Sequence, residues 1–367
     1  MDKEISLKDR RYLDTLRGIS ITRVVLVHLG LSWFLTPYSE FIHVLLPILF
    51  FVSGGVLFHS FSRAKSISDF MLKRIVSVYV PYLLIVVSAF SVLWAFEGSI
   101  PDIDFGNIFQ WLTLNAVHVN STMPFPLNQV WYLHSLIMII IISPLFFKIG
   151  LTNIYYFLIP IGISILISVL QLFYDIGHNM YLYGHNIYQP IVNMGFFFFG
   201  AMVYMNRRYF TGNKILYISM GSLLVGVSTG LLLVEDFNMY NHTYAPDLYY
   251  LSLSYFSISL FLGGQPFVER IVGSVRILNW FFNFMSRHSY SVFLLHSLVL
   301  IKIHTWLQLD NVMNDPVRAA GKIILVLFIT CVIAVPFTRL TNIIVSGIIS
   351  NSSKYRVKIF DFSINRN

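Results

Sequence analysis

The stretch FIHVLLPILFFVSGGVLFHSF at residues 41–61 contains no Asp, Glu, Lys or Arg. It is long enough to cross the hydrocarbon core of a bilayer, for which a helix needs about 20 mainly apolar residues. The whole chain shares this character, because 56% of its 367 residues are hydrophobic and 11% are charged. In a typical soluble domain, about 45–50% of the residues are hydrophobic and about 25% are charged. The composition therefore predicts an all-α, polytopic membrane protein, and the 16% of aromatic residues excludes a disordered chain.

Apolar runs of similar length recur along the chain and predict about ten transmembrane helices. They cover Arg17–Leu35, Phe41–Phe61, Ile75–Phe96, Val130–Phe147, Ile154–Tyr174, Ile187–Met205, Ile215–Val234, Leu248–Leu262, Ser289–Thr305 and Gly321–Ile343. No internal repeat or soluble domain interrupts the series. We therefore expect a single transmembrane domain at residues 1–350, followed by a short basic cytoplasmic tail at residues 351–367.

The basic residues follow the positive-inside rule when both termini are cytoplasmic. With ten helices, Lys and Arg fall on the cytoplasmic side except for Arg23, inside the first helix, and Lys302, Arg318 and Lys322. The same rule accounts for the net charge of +8, so no nucleic-acid partner is expected. The single cysteine, Cys331, lies in an apolar run, and we expect neither a disulfide nor a metal site.

Three predicted outer loops differ from the cytoplasmic loops in composition. Residues 97–129, 175–189 and 235–247 contain no Lys or Arg but carry aromatic, amide, carboxylate and imidazole side chains. Such side chains can stack on a sugar ring and form hydrogen bonds with its hydroxyl groups. They are also typical of the aromatic belt at a membrane surface. The sequence leaves both interpretations open.

Two ionisable residues of the first predicted helix have a spacing that places them on the same helix face. Arg17 and His28 are eleven residues apart, which is about three turns and about 16 Å along one helix face. Arg17 would lie at the cytoplasmic surface and His28 near the middle of the membrane, whereas Arg23 points elsewhere. Ionisable residues at that depth are costly and often functional. The pair could hold an anion and supply a base; alternatively, Arg17 is an anchor and His28 a core histidine.

Five motifs follow one another along the chain. They are LDTLRG at 13–18 with His28 beyond it, FFVSG at 50–54, KRI at 73–75 leading to PY at 81–82, WYL at 131–133, and SYSVFLLH at 289–296. In this order they resemble the acyltransferase-3 family of integral-membrane O-acyltransferases, over nearly the whole chain. One departure is Ser77, where family members often have a second arginine; Lys73 and Arg74 are expected to supply that charge.

The resemblance implies transfer of an acyl group, usually acetyl, from cytoplasmic acyl-CoA to a hydroxyl of a glycan. It implies that His28 is the general base, kept neutral by desolvation, and that Arg17 acts with it. Acyl-CoA is a co-substrate rather than a permanently bound cofactor. Its phosphates and pantetheine arm are expected to contact Arg17, Lys73, Arg74 and Ser53. For Ser53, which precedes two glycines, helix packing is the alternative.

Further residues are expected to support the site. Asp14, three residues before Arg17, would hold its guanidinium or simply begin the helix. His296 and Ser289 share a face of the ninth helix and would orient substrate or form a packed polar network. Trp131 and His134 would shape the acceptor entrance or anchor the helix at the membrane surface.

We therefore expect an O-acetyltransferase of the bacterial cytoplasmic (inner) membrane that modifies a surface polysaccharide or its lipid-linked precursor. Its partners would be acyl-CoA, the glycan and membrane lipids; the oligomeric state, including a homo-oligomer, is left open. Two alternatives remain. The same fold could use succinyl-CoA on a biofilm polysaccharide, or the chain could transport a glycan or another polar solute without acyl transfer.

Overall fold

The computed structural model describes residues 5–30, 38–98, 104–123, 127, 129–307 and 316–354, and most of these are helical. The α-helices in this part of the chain are α1 Leu7–His28, α2 Ile48–Ser62, α3 Ile67–Glu97, α4 Phe105–Leu112, α5 Ala116–Thr122, α6 Val130–Gly150, α7 Leu158–Tyr174, α8 Tyr188–Met205, α9 Gly212–Leu233, α10 Asn241–Tyr244, α11 Leu248–Gly263, α12 Gln265–Ser274, α13 Arg276–Arg287, α14 Ser289–Leu307 and α15 Pro316–Lys354. Short 3-10 helices cover Tyr38–Leu45, Ile154–Phe157 and Ile176–His178. A hairpin pairs β1, Tyr181–Leu182, antiparallel with β2, His185–Asn186.

Six helical segments of the described chain are long and apolar enough to cross a membrane. They are Phe41–Ser62, Ile67–Ala95, Val130–Gly150, Ile154–Tyr174, Gly212–Leu233 and Val317–Asn351. A seventh results if α11 and α12, bent by 65°, are counted as one span. The all-α, polytopic character is confirmed, whereas the count of ten and the cytoplasmic termini stay predictions. Charge explains why α1 does not qualify, since Arg11, Asp14, Arg17 and Arg23 all lie within it.

Several boundaries differ from the predicted ones. The helix α1 ends at His28, where Gly30 with a φ of 95° turns the chain, and the predicted continuation over residues 31–35 lies outside the described residues. The helix α15 continues through Lys354, into the predicted tail, of which residues 355–367 are also outside the described part. Short helices α4, α5, α12 and α13 occupy predicted loops, because a search for long apolar runs does not detect short amphipathic segments.

The chain divides into two compact units that alternate along the sequence. Unit 1 comprises Met1–Val24, Ser32–Ala64 and Ile142–Arg287. In this unit α2 packs closely on α8, and the two backbones touch. A Cβ on Gly54 would collide with the carbonyl oxygen of Phe197, and one on Gly200 with that of Phe51. The contact therefore requires glycine on both helices.

Unit 2 comprises Val25–Leu31, Lys65–Ile141 and His288–Asn367. In this unit α14 packs on α15 and α3. The hydroxyl of Tyr290 donates to the carbonyl of Val78, 2.5 Å away. His288 Nδ1 and Ser291 Oγ both contact the hydroxyl of Thr338, at 2.9 and 2.7 Å. These bonds fix the beginning of α14 between α3 and α15. A single domain over residues 1–350 stays a prediction.

Candidate functional site

His28 and His296 lie side by side in unit 2. Their ring centroids are 5.1 Å apart and the rings are nearly perpendicular, at 81°. The two rings differ in burial, since His28 is exposed at the protein surface while the His296 side chain is fully buried. The difference arises because α1 ends at His28, so the ring lies beside a turn rather than within a continuing helix.

The hydrogen bonding of His296 determines the tautomer of its ring. Its Nδ1 lies 3.2 Å from the carbonyl oxygen of Val292, and because a carbonyl can only accept, Nδ1 must carry the hydrogen. In the neutral ring, Nε2 is then the hydrogen-bond acceptor. Within the described residues this buried Nε2 has no partner. A buried acceptor without a donor costs free energy unless a ligand supplies one, so this atom is suited to receive a hydroxyl group.

Gln129, which the sequence analysis did not single out, belongs to the same surroundings. It precedes α6, and its side-chain Nε2 donates to Ser297 Oγ at 2.7 Å and to the carbonyl of Leu294 at 3.2 Å. The buried Oε1 has no hydrogen-bond partner among the described residues. The signal in the sequence was an amide two residues before the WYL motif, at a helix start. Gln129 thus ties α6 to the segment of α14 that carries His296.

Asp14 and Arg17 are in contact in unit 1. Arg17 Nη1 lies 3.4 Å from Asp14 Oδ1, and Ser286 Oγ lies 3.5 Å from the same oxygen. The Arg17 side chain is 27% exposed, which leaves it accessible to an anion. Beside this pair, Gly18 packs directly on the backbone of α13, where a Cβ would collide with the carbonyl of Phe282. The expected contact between Asp14 and Arg17 is therefore present on a closely packed helix.

Arg23 has a separate environment, as its spacing from Arg17 predicted. Its side chain is buried, and Nε donates to the carbonyl of Ile42 at 2.8 Å. Within the described chain its Nη2 has no hydrogen-bond partner. Arg23 thus ties α1 to the Tyr38–Leu45 helix of unit 1.

The residues near the start of α3 surround Ser77, the position of the departure from the family pattern. Ser77 Oγ donates to the carbonyl of Lys73 at 2.5 Å and brings no charge. Lys73 Nζ is 2.9 Å from Asp69 Oδ2, and its side chain is 47% exposed. Arg74 is half-buried. Lys73 is therefore partly neutralised by Asp69 but remains accessible to a ligand.

The motif around Ser53 has a clear packing role. Gly54 and Gly55, which follow it, lie against α8 in unit 1, next to Phe197 and Tyr204. Ser53 itself is half-buried. The packing alternative holds for the two glycines, while a contact between Ser53 and acyl-CoA stays a prediction.

The remaining predicted residues are in unit 2. Trp131 is half-buried, with its ring centroid 6.3 Å from that of Tyr132, whose ring in turn lies 5.1 Å from Phe293. His134 is buried one turn further along α6. Ser289 is the half-buried first residue of α14. The WYL and SYSVFLLH motifs therefore meet through their aromatic side chains.

The loop at 235–247, in unit 1, is ordered around His242. Its Nδ1 lies 2.8 Å from Asp247 Oδ2 and its Nε2 lies 2.7 Å from the carbonyl of Asp236. Burial lowers the pKa of His242, but the bonds to Asp247 and Asp236 outweigh burial and raise the pKa above its ordinary value. Both nitrogens face acceptors, so the protonated ring fits best. Tyr183, at the tip of the β1–β2 hairpin, is 92% exposed, and a sugar surface and an aromatic belt both remain open for these loops.

The comparisons with known proteins give one family. A family model described as an acyltransferase domain, of the acyltransferase-3 type, matches residues 10–339. No curated protein and no solved structure matches the chain. The matched range includes every site residue considered above, from Asp14 to His296.

Proposed function

Because the chain belongs to the acyltransferase-3 family and is a membrane acyltransferase, we propose that it is an O-acetyltransferase. It transfers an acetyl group from cytoplasmic acetyl-CoA to a hydroxyl of a surface polysaccharide or its lipid-linked precursor. Its location is the bacterial cytoplasmic membrane. The observation that carries this proposal is the pair of His28 and His296, with an unpartnered acceptor nitrogen on the buried ring among the described residues.

His28 acts as the general base of this reaction. It takes the proton of the acceptor hydroxyl while the hydroxyl oxygen attacks the thioester carbonyl. The new carbon–oxygen bond forms as the carbon–sulfur bond breaks, and the proton then passes to the departing CoA thiolate. His296 Nε2 accepts a hydrogen bond from a hydroxyl of the glycan and so orients it toward His28.

The candidates for binding the donor phosphates are cations near the beginning of α1, in unit 1, and near the beginning of α3, in unit 2. CoA carries several phosphate charges, and arginine binds phosphate through charge-assisted and often bidentate hydrogen bonds. Arg17, kept in orientation by Asp14, and the pair Lys73 and Arg74 are the residues for this task. Ser53 contacts the pantetheine arm, and Ser289 supports the helix that carries His296.

The acceptor enters past Trp131 and His134, near the start of α6. A Trp ring can stack on a sugar, and an imidazole can hydrogen-bond its hydroxyl groups. The loops at 97–129, 175–189 and 235–247 are rich in aromatic and amide side chains, a composition that suits binding of a glycan. Their lack of Lys and Arg suits a neutral acceptor or one that carries its own cations.

The same assay also tests two other functions, acyl transfer from succinyl-CoA and transport without acyl transfer. Succinyl-CoA would bind the same cations, because the phosphates are common to both donors. A transporter would need intramembrane polar residues but no base, and the facing imidazoles of His28 and His296 favour chemistry over transport.

The test uses the purified full-length protein in nanodiscs with radiolabelled acetyl-CoA and glycan acceptors. Donor binding and CoA release are compared between wild type, His28→Ala and the control His59→Ala, which lies in the last turn of α2 and has no assigned role in the site. We expect all three to bind the donor and His28→Ala alone to lose CoA release. Wild-type turnover by His28→Ala would refute the general base. Binding of succinyl-CoA but not acetyl-CoA would assign the other donor, and binding of neither would favour the transporter.

A further inference from the structure

Unit 2 contains a crevice of about 360 Å³ between α3, α14 and α15. The described residues that line it are apolar with two exceptions, Ser88 and Lys302. Its walls include Ala89 of α3, Leu298 of α14 and Ile333 of α15. Such a lining suits a hydrocarbon ligand, because it offers almost no hydrogen-bonding groups to a polar one.

The length of the crevice matches one leaflet of a bilayer. Its lining residues extend over Ile85–Leu93 of α3, Leu295–Ile303 of α14 and Ile329–Phe337 of α15. Each of these segments rises about 12 Å. The hydrocarbon core of a bilayer is about 30 Å thick, so one leaflet contributes about 15 Å. A single extended lipid chain of one leaflet would therefore fill the crevice along its length.

Two of the three walls belong to helices that turn most of their surface outward. In the apolar segments of α3 and α15, 22% of the residues are buried within the protein. In a membrane the remainder faces lipid chains, which therefore have direct access to this crevice.

The position of Lys302 indicates the charge of the lipid. Lys302 lies at one end of the lined segment of α14, one turn beyond Leu298. A lysine in an apolar helix runs its alkyl stem along apolar surface and brings its ammonium to the membrane surface. An ammonium at the end of a leaflet-long hydrocarbon groove is complementary to a phosphate headgroup.

We infer that the crevice between α3, α14 and α15 is a binding site for one chain of an anionic phospholipid, with the lipid phosphate at Lys302. With the predicted cytoplasmic termini, Lys302 faces the outer leaflet. This lipid is a bound component rather than a substrate, and the inference does not depend on the proposed acyl transfer.

The test measures lipid retention by native mass spectrometry on the full-length protein. The protein is stripped of lipid in detergent and then incubated with equal amounts of phosphatidylglycerol and phosphatidylcholine. We expect one tightly held lipid per chain, with phosphatidylglycerol preferred. The variant Lys302→Gln should reduce that preference about fivefold, the usual contribution of one lysine near an anionic headgroup. The control Lys322→Gln removes a cation that does not line the crevice and should keep the wild-type preference.

A second variant tests the apolar part of the site. Ala89→Phe fills the crevice and should reduce retention of both lipids at least tenfold, whereas Ile324→Phe, on an exposed position of α15, should not. If Ala89→Phe does not fold, Leu298→Phe takes its place. Equal lipid preference in wild type and Lys302→Gln, or full retention in the filled variant, would overturn the inference. Displacement of the lipid by a long-chain acyl-CoA would do the same, by assigning the crevice to the donor.

Discussion

The helix contacts at the centres of the two units are built in opposite ways. In unit 1, α2 and α8 touch backbone to backbone at Gly54 and Gly200, and phenylalanine rings fill the surroundings. In unit 2, α14 meets α3 and α15 around an open crevice and carries the buried His296, whose Nε2 has no partner in the described chain. The first contact has no spare room, whereas the second keeps both space and an unused hydrogen-bond acceptor.

This difference separates stability from function within one chain. Close packing supplies van der Waals contacts but leaves nothing for a ligand to bind. Open space and an unpaired acceptor cost stability, and a protein retains them where a ligand offsets the cost. We therefore expect substitutions in the α2–α8 contact to affect folding, and substitutions around α14 to affect turnover and lipid binding.

The largest effect should come from Gly54→Ala. The added methyl would collide with the carbonyl of Phe197, and two helix backbones cannot move apart without losing their contact. We expect a loss of about 3 kcal/mol or more, seen as a lower unfolding temperature and a poor yield. Gly162→Ala is the matched control, because no atom of another residue lies within 4 Å of the new methyl beyond the adjacent backbone of its own helix. It should be neutral or stabilising by up to about 1 kcal/mol. Equal losses in both variants would show that the close contact of α2 with α8 is not the cause.

The next largest effect should be on turnover in His296→Ala, which removes the unpartnered Nε2. We expect CoA release to fall about 100-fold, the lower range for a group that handles a proton or hydroxyl in the transition state. The unfolding temperature should fall as well, because truncation of this fully buried ring leaves a cavity and removes the Nδ1 bond to Val292. His296→Gln, which can offer an oxygen near the Nε2 position, should recover more activity than His296→Asn. Equal activity of those two variants would contradict the role of Nε2.

A smaller effect is expected from the amide that ties α6 to α14. Gln129→Leu removes the hydrogen bonds to Ser297 and Leu294 and should cost about 1–2 kcal/mol. Ser297→Ala removes one of these bonds and should cost less. Because the two side chains share a bond, the double variant should lose less than the sum of the single losses. Additive losses in thermal unfolding would show that the bond contributes nothing.

The smallest effect should be the pH dependence of the loop at 235–247. Burial opposes protonation of His242, but Asp247 and Asp236 raise its pKa above the ordinary value of about 6.5. The bonds therefore stabilise the folded state fully below about pH 6.5, and this contribution is lost as the pH rises through the higher folded-state pKa. We expect about 1 kcal/mol more stability at pH 6 than at pH 9, a difference that His242→Ala abolishes. If the stability of His242→Ala depends on pH as strongly as that of the wild type, the assignment is contradicted. The control is His178→Ala, which removes an exposed imidazole that contacts Asp175 and should keep the wild-type pH dependence.

Local features of the fold and the site could be predicted from the sequence. Long apolar runs predicted the polytopic helices because a membrane helix must be apolar along its length. The contact between Asp14 and Arg17 follows from a spacing of three residues, which brings side chains together on a helix. The collinear motifs indicated the family, and with it both His28 and His296, because their order along the chain is itself specific.

Long-range features could not be predicted in the same way. That His28 and His296 touch depends on the tertiary contact of α1 with α14, which no spacing encodes. The two rings differ in burial because α1 ends at His28, a result of the turn at Gly30. Gln129 was missed because its role depends on a distant helix to which it is hydrogen-bonded. The crevice could not be predicted because three helices that are far apart in the sequence form it.

The position of His28 at the end of α1 has an electrostatic consequence. The aligned peptide dipoles of a helix leave partial negative charge on its last carbonyl groups. His28 lies in the last turn of α1, and Gly30 closes that turn by donating its N–H to the carbonyl of Val27 at 3.0 Å. A base that takes a proton there becomes a cation beside the negative pole of its own helix. In the proposed reaction, the backbone of α1 would thus serve as the counter-charge for the imidazolium formed on His28.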